Sequence, residues 1–320
     1  MNNPVQNQQR RTGPVGIGLI GAGMISHTYL TNLTSFPDVR VLIVGDINPV
    51  RAEAQAKAHH VERWGTPEDV LAHPDVELIV NLTIPAAHIE VATAAIDAGK
   101  HVWTEKPFGI DRESAQTFLD EAARAGLLVG VAPDTAYGPG LQIARRVIER
   151  GDIGTPLSAQ TVIQYPGPRC STRTRSSCSP PARGRCSTSA RTTSLPSSTS
   201  WVRSRALRRS GPSVPDPNRL SGPVRITRPA TMDSLNQDIE WIDVPVADET
   251  FSRGAGVLDL ARCIRNGGTP MASGSLGYHV LDVMVSTEEA IETGRMVEVA
   301  STTDVIPQLS EGWDPYESTL

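Results

Sequence analysis

The feature that most constrains this chain is an apolar run that ends directly in a glycine-rich turn. The run Val15-Gly16-Ile17-Gly18-Leu19-Ile20 continues into Gly21-Ala22-Gly23-Met24-Ile25-Ser26, and the residues after it have a helical pattern. A strand that passes through such a turn into a helix is the setting of a dinucleotide-binding fingerprint. The first glycine permits the tight turn, and the second lets the backbone approach a pyrophosphate. Ser26 stands in place of the third glycine, where a small side chain can still pack.

Strand-like and helix-like segments alternate after this turn. The candidate strands are 15–20, 39–46, 78–81, 101–104 and 128–131, and the candidate helices are 25–33, 49–58, 86–98 and 112–125. Gly99 and Gly126 each follow a candidate helix, where a left-handed cap belongs. Repeated strand-helix-strand units require right-handed crossovers and give a parallel sheet that is covered on both faces. We therefore predict an α/β fold, with a doubly wound parallel Rossmann sheet over 15–135 after a disordered tail at 1–14.

Asp46 ends the second candidate strand, about 20 residues after the glycine turn, where an acidic residue binds the adenosine ribose in this type of domain. A carboxylate there accepts hydrogen bonds from the ribose hydroxyls and repels a 2′-phosphate. We therefore expect NAD as the cofactor, with NADP the less favoured choice because Arg51 lies nearby. The alternative is that the turn is an ordinary connection and that Asp46 only caps a helix.

The composition limits the classes of partner. The chain has 320 residues, enough for two domains, and its 39% hydrophobic content, 20% charged content and net charge of -5 are typical of a globular protein. That charge argues against a nucleic-acid partner. No apolar run is long enough to span a bilayer, and the four cysteines form no CxxC pair, so we expect no membrane contact, no metal and a reducing cytoplasm.

Two further strand ends carry motifs that identify a family resemblance. They are Asn81-Leu82-Thr83-Ile84-Pro85-Ala86-Ala87-His88 and Trp103-Thr104-Glu105-Lys106-Pro107. Together with the glycine turn, this set resembles the glucose-fructose oxidoreductase, inositol dehydrogenase and MocA family (Gfo/Idh/MocA). The resemblance covers 15 to about 165 and resumes from about 214 to 301, where Gly277-Tyr278-His279-Val280-Leu281-Asp282 and Glu292-Thr293-Gly294-Arg295 are similar to the family's closing helix.

The resemblance implies an NAD(P)-dependent oxidoreductase that transfers a hydride between a nicotinamide and a sugar, cyclitol or related polyol. It implies that Lys106 lies by the nicotinamide and polarises or protonates the substrate oxygen, which suits a partly desolvated lysine. A solvated surface lysine is the alternative. The cofactor-binding residues would be Gly21, Gly23, Met24, Ile25, Asp46, Thr83, Pro85, His88, Glu105 and Lys106. His88 is equally consistent with a cap or packing role, and Asp134 and Tyr137 are candidates expected to face the same cleft.

The resemblance also implies a second domain, over 136–320, of the α+β class with an open, mainly antiparallel sheet that supports a homo-oligomer. Candidate helices at 141–150, 257–264 and 278–293 and candidate strands at 157–165 and 239–244 fit this region. The family's usual catalytic Asp, with a His a few residues later, cannot be found in this chain.

An Arg/Ser-rich tract at 169–213 occupies the place of that catalytic pair. It holds ten Arg, thirteen Ser, six Thr and three of the four cysteines, but no Asp or Glu, and it has no helical or strand period. A GC-rich gene read out of frame gives such a composition. When the frame is displaced by two nucleotides, 186–193 can encode the family-like segment Leu-Phe-Asp-Ile-Gly-Pro-Tyr-Tyr. The alternative is a basic arm that binds nucleic acid or phosphate. The eight-residue spacing of Cys170, Cys178 and Cys186 matches no common metal motif.

The frame-shift interpretation predicts an incomplete second domain and reduced activity. Two other functions stay open from the sequence alone. One is a cofactor-binding pseudoenzyme without turnover, and the other is the NAD-dependent glycosidase chemistry of the same family.

Overall fold

The computed structural model describes residues 11–157, 207–209, 224–226, 242–244 and 253–320. These residues divide into two compact units. The larger unit takes in 11–143 and 253–320 of the described chain, and the smaller unit takes in the rest. The predicted domain boundary after residue 135 stays a prediction.

A six-stranded parallel sheet forms the centre of the larger unit, and it confirms the predicted Rossmann architecture. Its strands are β1 (Val15–Ile20), β2 (Val39–Gly45), β3 (Arg63–Gly65), β4 (Leu78–Asn81), β5 (His101–Thr104) and β6 (Val129–Val131). Their spatial order is β3-β2-β1-β4-β5-β6. The order reverses between β1 and β4, so the crevice outside their carboxyl ends is the expected ligand site of a doubly wound sheet.

The α-helices among the described residues connect the strands of the sheet or come after its last strand in the chain. They are α1 (Met24–Leu33), α2 (Pro49–Ala58), α3 (Pro67–Ala72), α4 (His88–Asp97), α5 (Arg112–Ala125), α6 (Pro139–Glu149), α7 (Ala255–Asn266) and α8 (Gly274–Thr293). Short 3-10 helices lie at Pro85–Ala87 and Asp134–Tyr137. The predicted helices are confirmed within a few residues at each end. Among the strands and α-helices described for the larger unit, β3 and α3 were not predicted.

The core lies in two layers because alternate strand residues point to opposite faces of the sheet. Ile17, Leu19 and Val80 pack on one face with side chains of α1, α2 and α7. Ile79 and Val102 pack on the other face with side chains of α4, α5 and α8. Both faces of the sheet are therefore covered by apolar packing, and a ligand can bind only at the ends of the strands.

The C-terminal part of the chain packs against the Rossmann sheet. Val131 at the end of β6 donates its N–H to Ala272 O (2.9 Å), just before α8. The last residues return to the start of β2, where the fully buried Asp38 carboxylate accepts from the N–H groups of Thr319 (2.9 Å) and Leu320 (3.1 Å). Residues 253–320 thus complete the core of the larger unit.

The described strands of the smaller unit form an antiparallel sheet, β7 (Leu207–Arg209), β8 (Val224–Ile226) and β9 (Ile242–Val244), in that order. The sheet agrees with the antiparallel type predicted for the C-terminal part. Of the 169–213 tract only 207–209 is described, and it is a strand. The rest of the tract lies outside the described residues, and so does the candidate strand at 157–165 except for Leu157. None of the helices among the described residues is both long and apolar enough to cross a membrane.

Candidate active site

The first glycine of the turn after β1 is required by the fold itself. Gly21 has a φ of 105°, a left-handed conformation that side chains disfavour. A Cβ atom at this position would lie 2.7 Å from the backbone carbonyl of Leu82. The Gly21 N–H donates to Gly45 O at 2.8 Å, so the turn is held between the ends of β2 and β4.

The second glycine of the turn has no such constraint from the protein. Gly23 precedes α1 with an ordinary φ of -76°, and a Cβ atom built on it would meet nothing within 4 Å. No side chain of the described residues caps α1 at this end. The first N–H groups of the helix therefore face open space beside Met24, which is 77% exposed, and they fit a pyrophosphate.

Asp46 is fixed next to this turn, one residue after β2. Its Oδ2 accepts from Ala22 N at 2.7 Å, and its Oδ1 accepts from Asn48 N at 2.7 Å. The side chain that caps α2 belongs to Asn48, which accepts from Val50 N, so the helix-cap interpretation of Asp46 does not describe this structure. Each carboxylate oxygen can accept a second hydrogen bond, which leaves capacity for a ribose hydroxyl.

The loop after β4 is held by the buried side chain of Asn81. Its Oδ1 accepts from Thr83 N (3.2 Å) and Thr83 Oγ1 (2.6 Å), and its Nδ2 donates to His88 O (2.9 Å). Pro85 then begins the short 3-10 helix that leads to α4. These bonds fix Thr83 at the same edge of the sheet as Asp46.

Two exposed isoleucines at this edge were not predicted from the sequence. Ile47 is 93% exposed and Ile84 is 69% exposed, and they follow Asp46 and Thr83 in the loops after β2 and β4. Exposed apolar side chains beside a binding crevice suit the flat faces of an adenine. The sequence did carry a signal for them, because each isoleucine directly follows a predicted site residue at the end of a strand.

The loop after β5 turns Glu105 inward and Lys106 outward. Glu105 is buried, and its Oε1 accepts from Tyr29 Oη (2.9 Å) and Arg253 Nη1 (3.0 Å). Its Oε2 accepts from the Lys106 N–H at 3.1 Å, so the Glu105 carboxylate holds the Lys106 backbone. The Lys106 side chain is exposed, which differs from the partly desolvated lysine that we expected.

A buried polar network lies behind Glu105. Asp134, only 1% exposed, accepts from Gly254 N (3.2 Å), Gly256 N (2.8 Å) and Tyr29 Oη (3.2 Å). The Tyr29 hydroxyl has one proton, so it donates to Glu105 or to Asp134 at any moment. Burial raises the pKa of Asp134 to about 6 and that of Tyr29 well above its ordinary value.

The expectation that Asp134 and Tyr137 face the cleft was wrong. Asp134 binds the amino end of α7 from inside the core. The fully buried Tyr137 donates to Asp259 Oδ2 at 2.8 Å and accepts from Ala272 N at 3.0 Å. Both side chains point inward because the 3-10 helix that carries them packs against α7.

The structure therefore brings most of the predicted cofactor residues to one edge of the sheet. Gly21, Gly23, Asp46, Thr83 and Lys106 follow the carboxyl ends of β1, β2, β4 and β5. The His88 ring lies behind this edge and is enclosed between two loops. Among the described residues, no cluster of three or more metal-ligating side chains occurs.

Comparison with known families gives a match over this part of the chain. Residues 15–132 match the family model described as "Oxidoreductase family, NAD-binding Rossmann fold" (GFO_IDH_MocA). Similar curated proteins include inositol 2-dehydrogenase 3 of Saccharopolyspora erythraea, 32% identical over 48% of this chain and 46% of that protein. The scyllo-inositol 2-dehydrogenase (NAD(+)) of Bacillus subtilis is 28% identical over 45% of this chain and 42% of its own length. The chain thus spans less than half the length of these relatives.

Solved structures resemble the chain over a longer range but at low identity. An oxidoreductase of Yersinia pestis aligns with a TM-score of 0.68 and 14% identity, covering 92% of this chain and all of that one (100%). An oxidoreductase of Desulfitobacterium hafniense aligns with a TM-score of 0.67 and 15% identity over 91% of this chain and 99% of that one. At this identity the likeness concerns the fold alone.

Proposed function

We propose that the chain is an NAD-dependent dehydrogenase of the Gfo/Idh/MocA oxidoreductase family, because its residues 15–132 match the NAD-binding Rossmann domain of that family. It transfers a hydride between the nicotinamide and a carbon of a sugar, cyclitol or related polyol. The substrate class is supported by the two inositol dehydrogenases to which the chain is similar.

One observation carries the proposal. Gly23 leaves the first N–H groups of α1 open at the point where the buried Asp46 carboxylate is locked beside the same turn. The pyrophosphate would bind at the helix end, and the ribose hydroxyls would bind Asp46. Because this carboxylate would repel a 2′-phosphate, we favour NAD over NADP.

The residues of the β5 loop provide the proton chemistry. A nicotinamide, when bound, would supply or accept the hydride. The exposed Lys106 ammonium polarises the substrate oxygen, or donates a proton to it as the hydride arrives at carbon. Glu105 does not meet the substrate. It holds the Lys106 backbone through Oε2, which sets the direction from which the lysine side chain extends.

The family's Asp and His pair would belong in the 169–213 tract, which contains neither Asp nor His. We therefore expect turnover by this chain to be low. We propose that the protein forms a homo-oligomer, on the basis of the family resemblance. We also propose that it resides in a reducing cytoplasm, on the basis of its cysteine usage.

Ligand titration of the full chain tests the proposal. We expect NADH to bind more tightly than NADPH, measured by nicotinamide fluorescence. We expect some polyol in a panel of inositols and sugars to reduce NAD. Release of a sugar leaving group without net NADH formation would instead indicate glycosidase chemistry. Binding without turnover on any substrate would indicate a pseudoenzyme, and failure to bind either dinucleotide would contradict the proposal.

The variant Lys106→Met separates binding from chemistry. It removes the ammonium but keeps a long side chain, so we expect turnover to fall about 10²- to 10⁴-fold, the usual contribution of a positioned acid or base. The NADH dissociation constant should change little. Unchanged turnover would show that Lys106 is only a solvated lysine.

A further inference from the structure

His88 joins the two loops that carry the proposed site. It is the first residue of α4, and its ring is buried, with Nδ1 2.7 Å from Pro107 O and Nε2 3.1 Å from Thr83 O. A neutral imidazole donates to one of these carbonyls, and a protonated one donates to both. In either state both ring nitrogens face protein oxygens, which leaves neither for a cofactor.

The two carbonyls lie next to the residues that would meet the ligands. Pro107 directly follows Lys106 in the β5 loop, and Thr83 lies in the β4 loop. The backbone of His88 adds a third tie, because its carbonyl accepts from Asn81 Nδ2, while Asn81 Oδ1 binds both the N–H and the hydroxyl of Thr83. The His88 side chain thus links the β4 loop, which Asn81 holds in place, to the β5 loop, which carries Lys106.

We propose that His88 is a positioning residue that sets the separation of Thr83 and Lys106 in the neighbouring β4 and β5 loops and does not touch the cofactor. This inference rests on the proposed function, and it replaces direct cofactor contact by His88 as the role of this side chain. A loop that is free to shift by even a fraction of an ångström would move Thr83 and Lys106 away from the bound dinucleotide and substrate.

Three substitutions of His88 separate the two bonds. The amide nitrogen of Asn reaches roughly the place of Nδ1, and that of Gln reaches roughly the place of Nε2. His88→Asn therefore keeps the bond to Pro107 O, His88→Gln keeps the bond to Thr83 O, and His88→Leu loses both. We expect His88→Leu to weaken NADH binding about 5- to 30-fold, the equivalent of one or two hydrogen bonds. His88→Asn and His88→Gln should each recover part of that loss.

The matched control is His101→Leu. His101 opens β5 at the opposite end from Lys106, and its Nδ1 accepts from Leu128 N at 2.9 Å. We expect this variant to melt at a lower temperature with an unchanged NADH dissociation constant.

The outcomes distinguish this inference from the proposed function. If the unaltered protein binds NADH and His88→Leu lowers only the melting temperature, His88 is a packing residue and the inference fails alone. The same holds if Asn and Gln recover no more affinity than Leu. If the unaltered protein binds no dinucleotide, the proposed function fails and the inference fails with it.

Discussion

The two glycines of the first turn are constrained by different neighbours. Gly21 combines a positive φ with a close backbone contact from Leu82, so the protein excludes a side chain there. Gly23 has ordinary dihedral angles and open space around it, so the folded chain alone gives no reason for a glycine. The pyrophosphate of the proposed dinucleotide would approach the backbone at this position, which makes Gly23 the sharper test of cofactor binding.

Gly23→Ser is expected to separate stability from binding. Serine is a preferred residue at the position before a helix, so the variant should keep its stability or gain up to about 1 kcal/mol. Its side chain would occupy the pyrophosphate space and bind the N–H groups of α1 itself. We expect NADH affinity to fall at least about tenfold, or about 1.4 kcal/mol, measured by fluorescence titration.

The control for this turn is Gly21→Ala, which should lose about 1–3 kcal/mol of stability because of its positive φ and the Leu82 contact. Urea denaturation measures both variants. A Gly23→Ser protein that binds NADH as tightly as the unaltered one would remove the main support for the site.

Helix α7 packs closely against one aromatic side chain of the Rossmann sheet. Trp103 of β5 is fully buried and donates from Nε1 to Tyr29 Oη at 3.2 Å. A Cβ atom on Gly256 would overlap the Trp103 ring and lie 2.8 Å from Asp134 Oδ1. The helix can approach this closely only because its first turn carries glycine, and its amino end then receives the Asp134 carboxylate.

Gly256→Ala should therefore destabilise the protein although alanine is the better helix former. We expect a loss of about 1–3 kcal/mol from overpacking against Trp103, which exceeds the gain of about 1 kcal/mol in helix propensity. The comparison variant is Asn266→Ala at the exposed end of the same helix, which should stay within about 0.5 kcal/mol. Equal stability of the two variants, by urea denaturation, would mean that α7 can move away from the sheet.

The elements that were not predicted are short ones. Strand β3 has three residues, Arg63–Gly65, too few for any alternation to be visible. Helix α3 has six, yet a signal was present, since Thr66 and Asp69 form a capping box before the apolar Val70. The longer strands and helices were predictable because their hydrophobic patterns extend over two or more turns or over a fully apolar run.

At the scale of the whole molecule, the sequence predicted which strand ends would meet but not what lies behind them. Gly21, Asp46 and Lys106 were identified from motifs, each local to one loop. Tyr29 binds Glu105 and Asp134 across 76 and 105 residues of sequence, and no periodic pattern connects such positions. Asp134 and Tyr137 were therefore assigned to the cleft, since only the packing of α7 reveals that they turn inward.

The buried Asp134 and the partly buried His101 give the stability of the larger unit opposite responses to acid. Burial raises the pKa of Asp134 from 3.8 to about 6, so the folded state binds this proton more tightly than the unfolded state. Stability is therefore gained as the pH falls from 7 through 6 toward 4. Burial lowers the pKa of His101 from 6.5 to about 4, so the unfolded state binds that proton more tightly. Stability is lost over the same interval.

Each contribution amounts to about 2 kcal/mol between pH 7 and pH 4.5, so in the unaltered protein the two nearly cancel. Asp134→Asn removes the stability that Asp134 contributes in acid. Between pH 7 and pH 4.5 we expect the free energy of unfolding of this variant to fall by about 2 kcal/mol more than that of the unaltered protein. His101→Asn removes the stability loss caused by His101, so its free energy of unfolding should fall by about 2 kcal/mol less over the same interval. Urea denaturation at pH 7 and pH 4.5 measures the change in stability between the two pH values for each variant. This change does not depend on how far the substitution lowers stability at neutral pH. If both variants kept the pH dependence of the unaltered protein, neither group would titrate in this interval, and the buried network around Asp134 would have to be more hydrated than its contacts indicate.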